Sequence, residues 1–168
     1  MTLQGLNALP DGEARAAFLT CCGSTRWARE MARRRPFATR AEVHEAAAEA
    51  WFALDPGDWD EAFRAHPRIG ERKAAPAQSA QAAAWSAQEQ AGAAQPGDEI
   101  AAALADGNRA YEERFGRIYI VCATGKTGDE MLAILRGRLA NDPATELRAA
   151  AAEQAKITAL RLEKLLDG

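Results

Sequence analysis

β-Branched aliphatic residues are scarce in this chain: 2 Val and 6 Ile among 168 residues. Strands draw on such residues, so a large sheet cannot be built. That excludes the Val/Ile-rich parallel sheets of α/β folds and the β-sandwich. Cysteine is also scarce. Cys21, Cys22 and Cys122 are odd in number, and two of them are adjacent. This is not a disulfide framework, and no C-x2-C metal spacing occurs. A reducing compartment fits best. The only histidines are His44 and His66, and no H-E-x-x-H is present, so no metal site is expected. Charge of one sign is lacking too. Lys+Arg is 21 against 24 Asp+Glu, a net charge of −3, which argues against a nucleic-acid binder. No apolar run approaches the ~18 residues of a membrane span. No basic start followed by an apolar run suggests a secretory signal. The C-terminal Leu165-Leu166-Asp167-Gly168 is not a peroxisomal address. Gly125-Lys126-Thr127 echoes the end of a phosphate-binding loop, but the glycine such a loop needs five positions earlier is Ile120.

What the chain has in abundance is Ala, 41 residues, the strongest helix former. Four Trp and five Phe supply bulky anchors for a core. Helix punctuation is legible throughout. Asp11 can cap a helix to about Cys22, with Gly23 as its stop. Ser24 can cap the next, which Pro36 ends. Thr39-x-x-Glu42 opens a helix with Val43, Ala47, Ala50, Trp51 and Leu54 on one face. Asp58-x-x-Glu61 precedes a short helix carrying Trp59 and Phe63. After a loop at 71–78, a helix is expected from about Ser79 to Ala94. Another runs from Asp98 to about Phe115, stopped by Gly116. Thr127-x-x-Glu130 opens one to about Ala140. Asp142-Pro143, a cap followed by Pro at the first helical position, starts the last, to about 166. The run 118–123 is strand-like but has no partner strand, so it reads as a buried extended segment or the first turns of a helix. The expectation is one all-α domain over residues 1–168, of about eight helices, with that buried segment near 118–123.

Few residues stand out chemically. His66 precedes Pro67 where a helix runs into a loop, and its ordinary pKa suits proton transfer at neutral pH. Position alone equally allows a surface or capping histidine. His44, one place off an apolar helix face, reads as a flanking residue. Ser86, Glu89 and Gln90 share a helix face at i, i+3 and i+4 and can line a polar pocket or an ordinary exposed face. Arg161 flanks an apolar stripe of Ile157, Leu160 and Leu165. It reads as a carboxylate clamp or as a snorkelling surface residue. The basic run Arg33, Arg34, Arg35 reads as a solvated helix end.

Four elements occur in a fixed order. They are His66-Pro67-Arg68-Ile69-Gly70, Ser86-x-x-Glu89-Gln90, Tyr119-Ile120-Val121-Cys122-Ala123, and Lys156-Ile157-x-x-Leu160-Arg161-Leu162. Together they resemble OHCU (2-oxo-4-hydroxy-4-carboxy-5-ureidoimidazoline) decarboxylase, the last enzyme of the urate-to-allantoin route. Arg35-Pro36-Phe37, Gly107-Asn108-x-x-Tyr111 and Arg138-Leu139-x-Asn141 also fit the pattern, so the resemblance extends from about Leu6 to Leu166. The stretch 71–84 is richer in Ala and Gln than the family pattern.

The resemblance implies an all-α, usually dimeric carboxy-lyase without a cofactor. It implies that His66 transfers the proton, that Glu89 acts beside it, and that Arg161 binds the anionic or ureido part of the substrate. Pro67, Ser86 and Gln90 would contact the substrate. So would the backbone of Tyr119, Ile120, Val121, Cys122 and Ala123, which favours the extended form of that run. Glu89 is expected to hydrogen-bond the His66 imidazole and fix its tautomer. Partner enzymes, urate oxidase and hydroxyisourate hydrolase, are expected to supply the substrate, since no transthyretin-like hydrolase segment is seen. No nucleic-acid or membrane partner is expected. A cytoplasmic location follows from the missing signals, and a bacterial source from the Ala richness. Two other readings remain open: a helical scaffold using its Trp/Arg surface, and a relative acting on another ureido-heterocycle. A scaffold would scatter the polar residues, whereas an enzyme would gather them.

Overall fold

In the computed structural model, residues 1–71, 75, 79–91 and 97–167 are described, and these form nine α-helices with no strand. They are α1 Leu3–Ala8, α2 Asp11–Cys21, α3 Thr25–Arg33, α4 Arg40–Phe52, α5 Pro56–Arg64, α6 Ala80–Glu89, α7 Asp98–Phe115, α8 Gly128–Arg138 and α9 Pro143–Asp167. None of the described helices is long and apolar enough to cross a membrane. α1 was not legible in the sequence. It is a short helix, started by Thr2 accepting from the Gly5 N–H at 3.0 Å.

The caps mostly stand where the sequence placed them. Ser24, Thr39 and Ser79 each accept from a backbone N–H in the first turn. Thr127 and Glu130 form a reciprocal capping box. Asp142 accepts from Thr145 N–H at 3.0 Å ahead of Pro143. Gly116 closes α7 in the left-handed conformation. Two starts differ. α2 is preceded by Pro10 without a side-chain cap, and Asp11 lies in its first turn. α5 begins at Pro56, before Asp58, because Pro suits a first helical position. α6 ends at Glu89 with Gln90 as its cap, and 92–96, where its expected end fell, lie outside the described residues. Most of the loop expected at 71–78 does so as well.

The chain divides into two compact units, Met1–Ala62 with Ala155–Gly168, and Phe63–Gln154. In the first, α3 packs against α2 and α4. Its core includes Leu6, Phe18, Trp27, Met31, Trp51 and Leu162. Trp27 meets Phe18 edge-on at 5.8 Å and donates its indole N–H to Ala47 O at 3.1 Å. The basic run is solvated at Arg33, which is exposed in the last turn of α3, and tied down at half-buried Arg34 and Arg35. Arg33 and Arg34 pair with Glu30, whose carboxyl their hydrogen bonds hold down to about 2. Arg35 donates to the carbonyls of Ala32, Leu6 and Leu9. His44 is half-buried and paired with Glu163, consistent with a flanking role.

In the second unit, α7 packs on α8 around Leu104, Tyr111, Phe115, Met131 and Leu135. The approach is close at Gly107, where a Cβ would lie 2.5 Å from Leu135 Cδ2. Residues 119–123 run through this unit without helical or strand structure and are all buried. The extended reading of that run therefore holds, and the helical one does not.

Candidate active site

The site is built around the turn that follows α5. Pro67 prevents the helix from continuing, and His66 N–H donates to Phe63 O at 3.1 Å, closing the last turn. Gly70 has φ +87°, a left-handed conformation that favours glycine and folds the chain back. Three side chains pin this turn. Gln90 Oε1 accepts from Gly70 N–H at 3.0 Å. Asn108 Nδ2 donates to Ile69 O at 2.9 Å. Arg68 forms a forked pair with Glu112, at 2.5 and 3.0 Å. Asn108 thereby gains a structural reason, as does the Arg68 of the motif.

His66 is half-buried. Its Nε2 lies 2.7 Å from Oε1 of Gln154, a residue with no exposed surface. Ser86 is buried on α6, one turn before half-buried Glu89 and Gln90. The extended run meets α9 at Cys122, whose N–H donates to Glu153 Oε2 at 2.7 Å. Lys126 Nζ donates to Cys122 O at 2.7 Å. Burial raises the Cys122 thiol above its ordinary range. The Lys126 charge and a backbone N–H oppose that shift, while Glu153 and Glu89 add to it. Glu89 is thus electrostatically coupled to the extended run. Within the second unit, His66 is thus bonded to Gln154 and Cys122 to Glu153 of α9, and Gln90 to the turn after His66.

The extended run is also anchored to the core behind it. Tyr119 turns its side chain into the core, where its hydroxyl donates to Met131 O at 3.1 Å. The carbonyl of Ile120 accepts from Arg138 Nη1. Arg138 and Glu146 form a buried pair, with Arg138 Nε and Nη2 at 2.8 and 2.5 Å from Glu146 Oε1. Glu146 also accepts from the Tyr111 hydroxyl at 2.5 Å and from Asn141 Nδ2 at 2.9 Å. Burial pulls the Arg138 charge down, but the bonds and charge of Glu146 outweigh it, and its pKa is raised. Both tyrosines are shifted upward, mainly by burial. The motif residues Tyr111, Arg138 and Asn141 therefore hold the extended run in place from behind.

Arg161 belongs to the first unit. It is 3% exposed, which rules out the snorkelling reading. The buried face of α9 carries Ala150, Gln154, Ile157, Thr158, Arg161 and Leu162, whereas Leu160 is 38% exposed. The apolar stripe inferred from Leu160 and Leu165 was phased wrongly, because alanines supply part of the buried face. With the right phase, Gln154 becomes visible as a polar residue on a buried helical stripe. Cys21 and Cys22, in the same unit, are pushed up to about 12 by burial, so both are thiols at neutral pH. Among the described residues no three His, Cys, Asp or Glu side chains are grouped to hold a metal ion.

Comparison with known proteins points one way. A family model described as OHCU decarboxylase matches residues 7–163. The uric acid degradation bifunctional protein TTL of Arabidopsis thaliana is 40% identical over 149 residues, 88% of this chain. The chain spans 45% of that plant protein, about half its length. The 2-oxo-4-hydroxy-4-carboxy-5-ureidoimidazoline decarboxylase of Amia calva is 31% identical over 79% of this chain and 75% of its own. A crystal structure of an OHCU decarboxylase in the presence of (S)-allantoin superposes with a TM-score of 0.79 at 36% identity. It covers 95% of this chain and 100% of that one. An (S)-allantoin synthase structure shares the fold, with a TM-score of 0.73 at 19% identity over 99% of this chain and 55% of that one.

Proposed function

The chain belongs to the OHCU decarboxylase family, and on that premise we propose that it decarboxylates 2-oxo-4-hydroxy-4-carboxy-5-ureidoimidazoline to (S)-(+)-allantoin. The observation that supports this reading is the pinned turn, which bonds His66 to Gln154 and Gly70 to Gln90 in the same compact unit as Glu89 and the buried run 119–123. A scaffold has no use for a half-buried histidine whose imidazole is bonded to an enclosed glutamine and whose following turn is pinned at Ile69 and Gly70.

The chemistry suits a protein that supplies only positioning and a proton. The carboxyl group leaves from C4, next to the C5=N bond. Its bonding pair forms a C4=C5 bond, and the imine pair moves to the ring nitrogen. The substrate is its own electron sink, so no cofactor is proposed. The hydroxyl proton ends on that nitrogen as the C4 oxygen forms C4=O, and the C4=C5 pair takes one further proton at C5. Holding the carboxylate out of the ring plane and delivering the C5 proton to one face are the tasks left to the enzyme.

His66 is the proposed proton donor, with Glu89 acting beside it. Pro67, Ser86, Gln90 and the backbone of 119–123 are the proposed substrate contacts. The Ile120 carbonyl and the Cys122 N–H already have protein partners, so ligand contacts there share or replace those bonds. Arg161 is the proposed anion- or ureido-binding residue. Its burial supports that role over that of a solvated surface arginine. Arg161→Ala should lower kcat/KM by at least about tenfold, a loss of about 1.4 kcal/mol in transition-state binding. Unchanged kinetics would assign it a packing role only. A homodimer, a cytoplasmic location and supply by urate oxidase and hydroxyisourate hydrolase are proposed from the family.

The test is a coupled assay. Urate oxidase and hydroxyisourate hydrolase generate the substrate, and circular dichroism follows the product. Rapid appearance of one enantiomer is expected. A trace no faster than the spontaneous racemic decay would overturn the reading.

A further inference from the structure

One side chain bonded to His66 belongs to none of the sequence motifs: Gln154. Its Oε1 lies 2.7 Å from His66 Nε2, and its residue is 0% exposed. An amide oxygen only accepts, so the imidazole nitrogen facing it must carry the proton. In a neutral imidazole the second nitrogen then holds the lone pair. In the cation both nitrogens are protonated, and the contact with Gln154 is unchanged. Gln154 therefore keeps the same bond through both protonation states of the ring.

We propose that Gln154 is a positioning residue that holds His66 as the Nε2–H tautomer and commits its acid–base exchange to Nδ1. This rests on the reading of His66 as the proton-transfer residue. Three features make the assignment specific. The His66 backbone is fixed by its N–H bond to Phe63 O and by Pro67, so the ring has few ways to turn. Gln154 sits in the regular interior of α9, with its side chain fully enclosed, so its own rotamer is set by packing. It is also neutral. A carboxylate at this position would favour the imidazolium, whereas an amide orients the ring without adding charge. Gln154 therefore orients the ring and leaves its charge to other groups.

The consequence for the reaction is a defined proton route. The C4–carboxylate bond breaks and CO2 leaves. Its electron pair forms C4=C5, the imine pair moves to the ring nitrogen, and that nitrogen takes the hydroxyl proton. The C4 oxygen then forms C4=O, the C4=C5 pair moves to C5, and the one proton consumed bonds there from Nδ1–H of the cationic ring, which returns to the neutral Nε2–H form and is reprotonated from solvent. Because Nε2 stays anchored, Nδ1 meets one face of C5, which accounts for a single enantiomer.

The chain has two histidines, so the experiment is direct. Long-range 1H–15N spectra of the whole chain with 15N-labelled histidine report the tautomer of each ring, and a His44→Gln variant assigns the signals. The expected result is His66 with a protonated Nε2 and an unprotonated Nδ1 at a pH where the ring is neutral. Gln154→Glu keeps an acceptor and should keep that tautomer. Gln154→Leu removes it, and should give mixed tautomers with kcat reduced by about tenfold or more and KM little changed. A tenfold loss is about 1.4 kcal/mol of transition-state stabilisation. A wild-type His66 protonated on Nδ1 and not on Nε2 would overturn the proposal, even if neither variant folds. So would an equal loss of activity in both variants with the tautomer unchanged. The spectrum is read on the free protein and stands apart from the decarboxylation assay. A correct tautomer without allantoin formation would sink the function, and the reverse would sink the tautomer assignment.

Discussion

Replacing His66 with Ala should slow formation of the single allantoin enantiomer by about 10²–10⁴-fold, the usual contribution of one positioned acid. The residual product should approach the racemate, because the proton would then come from solvent on either face of C5. The fold should hold, at a cost of about 1–3 kcal/mol for the buried Gln154 amide oxygen that loses its imidazole donor. His66 is half-buried in a turn whose backbone is fixed by Gln90, Asn108 and Gly70, none of which needs the imidazole. The reading is therefore checked by two measurements together, the rate and enantiomeric excess in the coupled assay and the midpoint of urea unfolding. A His66→Ala protein that turns over stereoselectively at the original rate would remove His66 from the mechanism. A protein that loses activity because it no longer folds would show up in the unfolding curve. His66→Asn and His66→Gln then separate the two nitrogens, since their amides reach toward the positions of Nδ1 and Nε2.

The second large effect is expected far from the proton. Glu146 has no exposed surface and accepts from Arg138, Tyr111 and Asn141. Glu146→Ala leaves the Arg138 charge buried without its counter-ion. Breaking a buried pair in this way costs about 3–5 kcal/mol. For a chain of this size that corresponds to a drop in Tm of about 10 °C or more. Arg138 also donates to the Ile120 carbonyl and lies 5.0 Å from the Tyr119 ring centre. The loss should thus reach the extended run and lower activity in whatever protein remains folded. Removing both partners, as in Arg138→Met with Glu146→Leu, should recover much of the stability, since desolvation of the two charges is then avoided. It should not recover the activity, because the Ile120 carbonyl would still lack its donor. Thermal and urea unfolding read the first effect, and the coupled assay reads the second. A Glu146→Ala protein within about 1 kcal/mol of wild type would mean that the pair is solvated.

Much of this was legible because it is local. Caps such as Ser24, Thr127 and Asp142 act on N–H groups three residues away, so their side chains and spacing suffice. The motif around His66 was legible in the same way, since Pro67 and Gly70 impose the turn on any fold that contains them. Other features were hidden by composition. α9 buries alanines beside Gln154 and Arg161, and an Ala-rich helix gives too little contrast to fix its phase. The roles of Asn108, Tyr111 and Arg138 were hidden differently. Their partners lie 39, 35 and 18 residues away.

The helical class, most element boundaries, the family resemblance and the candidacy of His66, Glu89 and Arg161 all follow from the order of residues. Helix propensity, capping and turn formation act over a few residues, so the order of residues carries them. The tertiary structure alone decided which nitrogen of His66 is anchored, because Gln154 is 88 residues away along the chain. It also decided that the run 119–123 is held by a buried Arg138–Glu146 pair rather than by a partner strand. A buried polar group must find a partner wherever the packed chain provides one, and no local rule specifies where that is.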